Sequence, residues 1–248
     1  MSRILEVSNL HKYFGGVRAV QGVSLTLAEG TVVGLIGPNG SGKTTLLNVI
    51  AGVLKPTTGI VTLGGRRIDG MAPHQVVAEG VAKTHQIPKP LLTMTCRENV
   101  AVGVMFGRRR ERHPENALKE ADRVLAVVRM EAKANVLASN LTVQERKRLE
   151  FARVLGTGAS ILLLDEIFAG LSPSELRESI ALFTDVQKKM GFGALVVEHV
   201  MRAVLTLSAN VVVIEEGTKI AEGTPREVVE NPAVIEAYLG VEETHAPS

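Results

Sequence analysis

Short apolar runs, some continuous and some alternating with polar residues, predict the strands of this chain. Three of them lie near the N-terminus with turn residues between them, which indicates an antiparallel β-region. These runs are residues 4–7, 23–27 and 59–63. Later runs at residues 160–164, 193–197 and 210–214 are continuously apolar, and helical stretches separate them. Such strands are typical of a buried parallel sheet, so the pattern predicts an α/β core.

The middle of the chain has a different pattern. Pro88 and Pro90 break regular structure, and residues 97–155 then show mostly helical periodicity. A helix over residues 115–130 is the clearest case. The pattern therefore predicts a helical insertion into the α/β core.

These patterns predict one domain, 1–248, made of two parts. Residues 1–86 and 158–241 would form the α/β core with its β-subdomain, and residues 87–157 would form the helical subdomain. No internal repeat is visible. The tail at residues 242–248 is predicted to be disordered.

Composition narrows the functional classes. The chain has 248 residues, is 45% hydrophobic and carries a net charge of +2, so it gives no case for a nucleic-acid partner. The arginine run at residues 108–110 is predicted to be a solvated loop. The single cysteine, Cys96, excludes an intrachain disulfide framework and fits a reducing compartment. Without a signal-peptide core or an apolar run of about 20 residues, we expect a cytoplasmic protein unless a partner holds it at a membrane.

The most informative motif fits the phosphate-loop pattern G-x-x-x-x-G-K-[ST]. Its residues are Gly37, Pro38, Asn39, Gly40, Ser41, Gly42, Lys43, Thr44 and Thr45. The three glycines let the backbone turn successive N–H groups toward one anion. Lys43 would place its charge against the β- and γ-phosphates, and the Thr44 hydroxyl would bind Mg²⁺.

The context of this loop supports phosphate binding. A buried strand is predicted before it at residues 31–36, and a helix after it at residues 44–51. The phosphates would therefore sit at a helix N-terminus. The alternative is a Gly-rich turn that matches by chance, which the strand–loop–helix context disfavours.

A carboxylate pair, Asp165 and Glu166, follows the apolar run at residues 161–164. The carboxyl end of a buried strand is where an α/β sheet places its chemistry. Asp165 suits Mg²⁺, directly or through water, and Glu166 could polarise an attacking water. Alone, such a pair is more often a helix N-cap, but an upstream phosphate loop favours catalysis. His199, after a strand, and Gln86 are unremarkable in isolation.

Together, the order and spacing of five motifs resemble the ATPase subunit of ATP-binding-cassette (ABC) transporters over nearly the whole chain. Residues 37–45 match that family's Walker A motif, Gln86 its Q-loop glutamine, and residues 161–165 its Walker B motif. The resemblance implies that Glu166 is the catalytic glutamate and His199 the switch histidine. It also implies a P-loop NTPase (RecA-like) core with an N-terminal antiparallel β-subdomain and a helical subdomain.

Further ligands follow from the same resemblance. Phe14, just before two glycines, matches the aromatic residue that stacks on adenine, and Tyr13 is the less favoured neighbour. The implied cofactors are ATP and Mg²⁺, and the implied activity is ATP hydrolysis coupled to transport. The implied ligands of Mg²⁺ are Thr44, Gln86 and Asp165.

The family signature departs from its usual form, Leu-Ser-Gly-Gly-Gln. Residues 141–145 read Leu-Thr-Val-Gln-Glu, so Thr142 keeps a hydroxyl, while Gln144 stands where a glycine lets the backbone approach the γ-phosphate. Thr142 and Gln144 are therefore candidate nucleotide contacts. Thr142 with Glu145 also fits a helix capping box, and both interpretations can hold.

Two other positions after the Walker B match also differ from the family. Ser172 stands where the family usually has Asp, and Ile167 replaces the usual Pro. Together with the altered signature, these differences do not change the prediction of ATP binding. They leave the rate of hydrolysis unpredicted.

Within the family, local stretches look like the branched-chain (hydrophobic) amino acid uptake group. They are residues 14–20, 169–173, 198–199 and 231–240. The related urea and short-chain amide importers share much of this pattern, so such an importer is the alternative.

The resemblance also implies partners and a location. A second ATPase subunit, identical or different, would pair head to tail with this one and hold each ATP between Walker A and the other signature helix. Transmembrane permease subunits would bind it at the cytoplasmic face of the inner (plasma) membrane, and a periplasmic or extracellular solute-binding protein would act indirectly. The apolar segment at residues 88–94 is a candidate docking surface or an ordinary inter-domain loop.

Two other functions are compatible with these motifs. One is a soluble ABC-type ATPase of repair or translation, although such proteins usually carry long coiled-coil insertions or duplicated cassettes, which this chain lacks. The other is a nucleotide-dependent docking module whose altered signature has lost useful turnover. The resemblance places solute specificity in subunits other than this one.

Overall fold

The computed structural model describes residues 3–242, where the chain forms two β-sheets and nine α-helices. The strands are β1 (Ile4–Phe14), β2 (Val17–Ala28), β3 (Val32–Ile36), β4 (Thr58–Leu63), β5 (Arg66–Arg67), β6 (Val81–Lys83), β7 (Ile161–Asp165), β8 (Gly193–Val197), β9 (Asn210–Glu215) and β10 (Thr218–Gly223). The helices are α1 (Lys43–Ile50), α2 (Pro73–Glu79), α3 (Cys96–Phe106), α4 (Pro114–Val127), α5 (Val143–Gly156), α6 (Pro173–Met190), α7 (Met201–Leu207), α8 (Pro225–Val229) and α9 (Pro232–Glu242). Of the tail predicted to be disordered, residues 243–248 lie outside the described residues.

The smaller sheet is antiparallel, with strand order β2-β1-β4-β5, as the N-terminal pattern predicted. Its first two strands are longer than predicted and form a hairpin that turns at Gly15, where φ is +56°. Their pairing shifts register between Val7 and Leu10 and again near Lys12. Because such bulges disturb the two-residue alternation, the apolar pattern covered only part of each strand.

The larger sheet has the order β10-β9-β3-β8-β7-β6. All neighbours in it are parallel except β10, which pairs antiparallel with β9 at the edge. The predicted parallel strands are confirmed, and β8 has the predicted bounds. The carboxyl ends of β3, β7 and β8 therefore lie side by side, which is the edge where α/β sheets place their ligands.

Helices α3, α4 and α5 pack together and account for the helical middle of the chain. Helix α4 ends at Val127 rather than at residue 130, because Arg129 takes a left-handed conformation with φ +58°. Short 3₁₀ turns at Glu131–Lys133 and Ala138–Asn140 connect α4 to α5. The predicted division into 1–86 with 158–241 and 87–157 stays a prediction.

The two largest of three hydrophobic cores in the described residues lie on opposite faces of the larger sheet. Along β7, Ile161 and Leu163 join the core shared with the smaller sheet and α1, whereas Leu162 and Leu164 join the core shared with α3–α6. The second core contains a cluster of phenylalanines with ring centroids 5.9–6.3 Å apart, namely Phe151, Phe168, Phe183 and Phe192. Both faces are buried, which makes β7 a rigid support for the residues at its end. Among the described helices, none is both long and apolar enough to cross a membrane.

Candidate nucleotide-binding site

The phosphate-loop pattern folds as predicted between β3 and α1. Two of its glycines are required by close approach of other backbone segments. At Gly37, where φ is +152°, a Cβ would overlap the carbonyl oxygen of Ile214. At Gly42, the N-cap of α1 with φ +101°, a Cβ would overlap the carbonyl oxygen of Ala19. The loop is therefore held against β2 and β9 at the N-terminus of α1, the arrangement that suits an anion.

Lys43 begins α1 and turns its ammonium group back over the loop. Its Nζ donates hydrogen bonds of 2.7 Å to the carbonyl oxygens of Gly37 and Pro38. Burial lowers the pKa of Lys43, while the carboxylates of Glu166 and Asp165 oppose that shift. The ammonium is thus a largely desolvated cation at the loop, and phosphate oxygens can replace the carbonyls as its acceptors.

A pocket opens on the loop and brings together three predicted residues that are far apart in the sequence: Gln86, Glu166 and His199. Its other lining residues are Ala19, Asn39, Gly40, Ser41, Gly42, Lys43, Thr44 and Thr45. Of the predicted loop contacts, Gly37 and Pro38 do not line this pocket. The convergence of residues that follow β3, β6, β7 and β8 on one pocket is the strongest structural sign of a functional site.

Glu166 and His199 contact each other directly in this pocket. His199 Nε2 lies 2.9 Å from Glu166 Oε1. The Glu166 N–H donates to the Val197 carbonyl oxygen at 2.9 Å, and Glu166 has a left-handed φ of +53°. This uncommon backbone conformation, at the end of a buried strand, aims the carboxylate at the imidazole.

Asp165 fits a divalent cation. It is 1% exposed, and neither carboxylate oxygen accepts a hydrogen bond within the described residues, although Lys83 Nζ lies 3.4 Å from Oδ2. Burial raises the pKa of Asp165, and Lys83 opposes the shift. Gln86 lines both the loop pocket and a small cavity that includes Asp165. The oxygen atoms of Asp165, Gln86 and the Thr44 hydroxyl are of the kind that Mg²⁺ prefers, and their role as its ligands stays a prediction.

Phe14, the predicted adenine-stacking residue, lies at the end of β1 and outside the lining of the loop pocket. Its side chain is 45% exposed, and Lys12 Nζ is 4.9 Å from the ring centroid. Phe14 pairs with Val17 of β2. Ala19, two residues further along β2, does line the pocket. The role of Phe14 in stacking stays a prediction.

The altered signature forms the capped helix end that the sequence predicted. Thr142 is the N-cap of α5, its Oγ1 accepts from the Glu145 N–H at 3.2 Å, and Glu145 Oε2 accepts from the Thr142 N–H at 2.9 Å. Thr142 and Gln144 do not reach the loop pocket of the same chain; Gln144 lines a separate pocket between α5 and α6. Their contact with nucleotide stays a prediction that requires a second subunit.

Sequence reasoning assigned no role to Glu198, which the structure places beside this site. Glu198 is 1% exposed, and its Oε1 accepts a 2.6 Å hydrogen bond from the Phe168 N–H. Burial raises the pKa of Glu198 to about 7. The available signal was a lone acidic residue directly after the buried β8 strand, where a charged group needs a buried partner.

The comparisons with known proteins agree with this geometry. The ABC transporter family model matches residues 20–169, more than half of the chain. The chain belongs to the ABC transporter family. A second model, described as branched-chain amino acid ATP-binding cassette transporter, matches residues 218–244. The predicted fold class and the ATPase activity coupled to transport are those of this family.

Curated relatives of this ABC protein extend over nearly its full length. BraF of Pseudomonas aeruginosa, a high-affinity branched-chain amino acid transport ATP-binding protein, is 39% identical over 97% of this chain and 99% of its own. LivG of Escherichia coli K12, described in the same words, is 37% identical over 96% of this chain and 98% of its own.

Solved ABC cassettes share the fold. A nucleotide-free cassette from an ABC transporter superimposes with a TM-score of 0.83 at 32% identity, covering 96% of this chain and 99% of the other. The ADP conformation of the cassette MJ1267 gives 0.84 at 31% identity, covering 97% and 99%.

Proposed function

We propose that this chain hydrolyses Mg-ATP to power uptake of branched-chain amino acids through a membrane permease. The convergence of Gln86, Glu166 and His199 on the phosphate-loop pocket carries the hydrolytic part of the proposal. The match of residues 218–244 to the branched-chain model, together with the BraF and LivG relatives, supports the solute class.

In the proposed mechanism, the loop N–H groups and Lys43 bind the phosphates of ATP. Thr44, Gln86 and Asp165 would hold Mg²⁺, which neutralises charge on the phosphates when bound. Glu166 orients a water molecule for in-line attack on the γ-phosphate and accepts its proton. His199, 2.9 Å from the Glu166 carboxylate, holds that carboxylate in place.

The proposal includes a second ATPase subunit, identical or different. Each nucleotide would lie between the phosphate loop of one subunit and the α5 N-terminus of the other, where Thr142 and Gln144 are exposed. A capped helix end with free N–H groups is suited to the γ-phosphate. ATP binding would close the pair and hydrolysis would release it.

The permease would dock on the apolar segment after Gln86, at the cytoplasmic face of the plasma membrane. Large apolar side chains are exposed there: Ile87 (75%), Leu92 (47%) and Met94 (37%). Gln86 adjoins this segment and lines the loop pocket. Gln86 can therefore transmit a change of the bound nucleotide to the permease. A periplasmic or extracellular solute-binding protein would take part only through the permease.

The test is reconstitution of the chain in lipid vesicles with the permease subunits that co-purify with it. We expect ATP-dependent uptake of leucine, and no uptake with a Lys43→Ala variant, which lacks the phosphate-binding cation. Urea uptake without leucine uptake would mean that the chain serves one of the related urea or amide importers instead. ATP hydrolysis that no permease binds or stimulates would contradict the transport role.

A further inference from the structure

The turn at residues 166–169, which carries Glu166 from β7 toward α6, is held by a side chain from the signature helix. Lys147 of α5 donates from Nζ to the carbonyl oxygen of Ala169 at 2.8 Å and to that of Glu166 at 3.1 Å. One ammonium group thus binds both ends of the turn. Hydrogen bonds to a charged donor are stronger than neutral ones, and these lie in a partly buried setting.

The turn needs such support because its own bonds are few. Glu166 has a left-handed φ of +53°, a conformation that is unfavourable for a residue with a side chain. The internal bond of the turn, from the Ala169 N–H to the Glu166 carbonyl oxygen, is long at 3.4 Å. On the other side, the buried Glu198 accepts from the Phe168 N–H at 2.6 Å. Contacts from outside the turn therefore set the position of Glu166.

The same face of α5 also binds the chain just before Gln86. Glu150, one turn after Lys147, accepts 2.8 Å hydrogen bonds from the backbone N–H and from Nδ1 of His85. Glu150 is 2% exposed, and it lines a small cavity together with Lys147, Gln86 and Glu166. Helix α5 is thereby attached to Glu166 and to His85, the residue that precedes Gln86.

We infer that Lys147 is a positioning residue for ATP hydrolysis, which it serves by fixing the backbone turn that presents Glu166. The inference rests on the proposed role of Glu166 in orienting water. Lys147 does not line the phosphate-loop pocket, so it acts through Glu166 rather than on the nucleotide. It also connects the end of α5 that bears Thr142 to the hydrolytic residue of the same chain.

The test compares two variants of the full-length chain. Lys147→Met keeps the apolar stem and removes the donor, and Lys147→Arg keeps a cationic donor. Since displacement of a catalytic group by about 1 Å can cost up to ~10²-fold in rate, we expect Lys147→Met to lower kcat by ~10-fold or more. KM and the Kd of a fluorescent ATP analogue should stay within about 2-fold, and Lys147→Arg should recover most of kcat.

Lys189→Met, which removes an exposed lysine of α6, is the matched control and should behave as the unmodified chain. A normal kcat in a folded Lys147→Met variant would overturn the inference. So would a higher KM at unchanged kcat, or equal loss of kcat and melting temperature in Lys147→Met and Lys147→Arg. Should Lys147→Met not fold, Lys147→Gln takes its place with the same expected loss.

Failure of the proposed function gives a different result. In that case the unmodified chain would neither bind the ATP analogue nor hydrolyse Mg-ATP, and the role of Lys147 would fall with it. If the unmodified chain binds and hydrolyses ATP and only the Lys147→Met effect is missing, the proposed function stands and the positioning role alone is wrong.

Discussion

At Glu198, burial changes the chemistry of a single carboxyl group that lies next to His199 in the chain. One oxygen accepts the Phe168 N–H, and the other has no hydrogen-bond partner within the described residues. Desolvation therefore raises its pKa to about 7, against 4.5 for a free glutamate. Near neutral pH this group is partly protonated. A change of pH in that range therefore alters its charge, whereas exposed carboxylates stay fully ionised.

This shift predicts how stability changes with pH. Because the folded-state pKa is raised, the protonated form stabilises the fold fully below about pH 4.5, and this stabilisation is lost as the pH rises through about 7. Glu198→Gln keeps an oxygen acceptor for Phe168 and cannot ionise. Relative to the unmodified chain, its free energy of unfolding should rise by about 2–3 kcal/mol between pH 5 and pH 8.

Urea denaturation of both proteins at several pH values measures this difference. Glu236→Gln, which removes an exposed carboxylate of α9, is the control and should show no such trend. Parallel curves for Glu198→Gln and the unmodified chain would mean that Glu198 does not titrate between pH 5 and pH 8.

At the scale of elements, the N-terminus of α5 combines a structural and a proposed functional role. Its capping box binds the backbone N–H groups of Thr142 and Glu145, and Lys133 lies 3.0 Å from the capping residue Glu145. The Thr142 backbone hydrogen bond lowers the pKa of Glu145. The helix end is thus fixed in one conformation before any partner binds it.

Thr142→Ala should destabilise the chain by ~1 kcal/mol, because the Glu145 N–H loses its acceptor. For a chain of this size that corresponds to a fall in melting temperature of about 2–4 °C. Thr142→Ser retains the hydroxyl and should melt close to the unmodified chain. Calorimetry measures both, and equal melting temperatures for Thr142→Ala and the unmodified chain would show that the cap adds nothing to stability.

Element prediction succeeded where the local signal was strong and unambiguous. The continuous apolar run of β8 and the strand–loop–helix around the phosphate loop were both predicted. Strand β6 was not, because three residues are too short for a period to show. Strand β10 was not, because it is half-exposed and polar at the sheet edge. Helix α2 was not predicted either, because it has seven residues, one buried side chain, Val76, and no apolar stripe.

Prediction of the site residues also depended on how strong the local sequence signal was. The phosphate loop and Glu166 were predicted from signals in adjacent residues, whereas His199 was predicted only from the family resemblance. Lys147 gave no such signal, and Glu198 gave only that of an acidic residue directly after a buried strand. Both contact the turn at residues 166–169 from 19 to 30 positions away in the sequence. Their positions depend on the packing of α5 and β8 around β7, which sequence periodicity does not report.

For the whole molecule, the central feature is a sheet buried on both faces that presents its ligand-binding edge at one side. The phosphate loop, Glu166 and His199 meet there, while the α5 N-terminus with Thr142 and Gln144 lies outside that pocket. One chain therefore holds the residues proposed to bind phosphate and to hydrolyse ATP, whereas its signature end would contact nucleotide only in a second subunit. This division agrees with the head-to-tail pair in the proposed function.

The central claim is that Glu166 activates water at an ATP site built on the phosphate loop. Its most direct test is single-turnover hydrolysis of Mg-ATP by Glu166→Gln, with equilibrium binding of ATP measured on the same protein. We expect nearly unchanged ATP affinity and a hydrolysis rate lower by ~10²-fold or more. Near-normal hydrolysis by a folded, ATP-binding Glu166→Gln variant would contradict it.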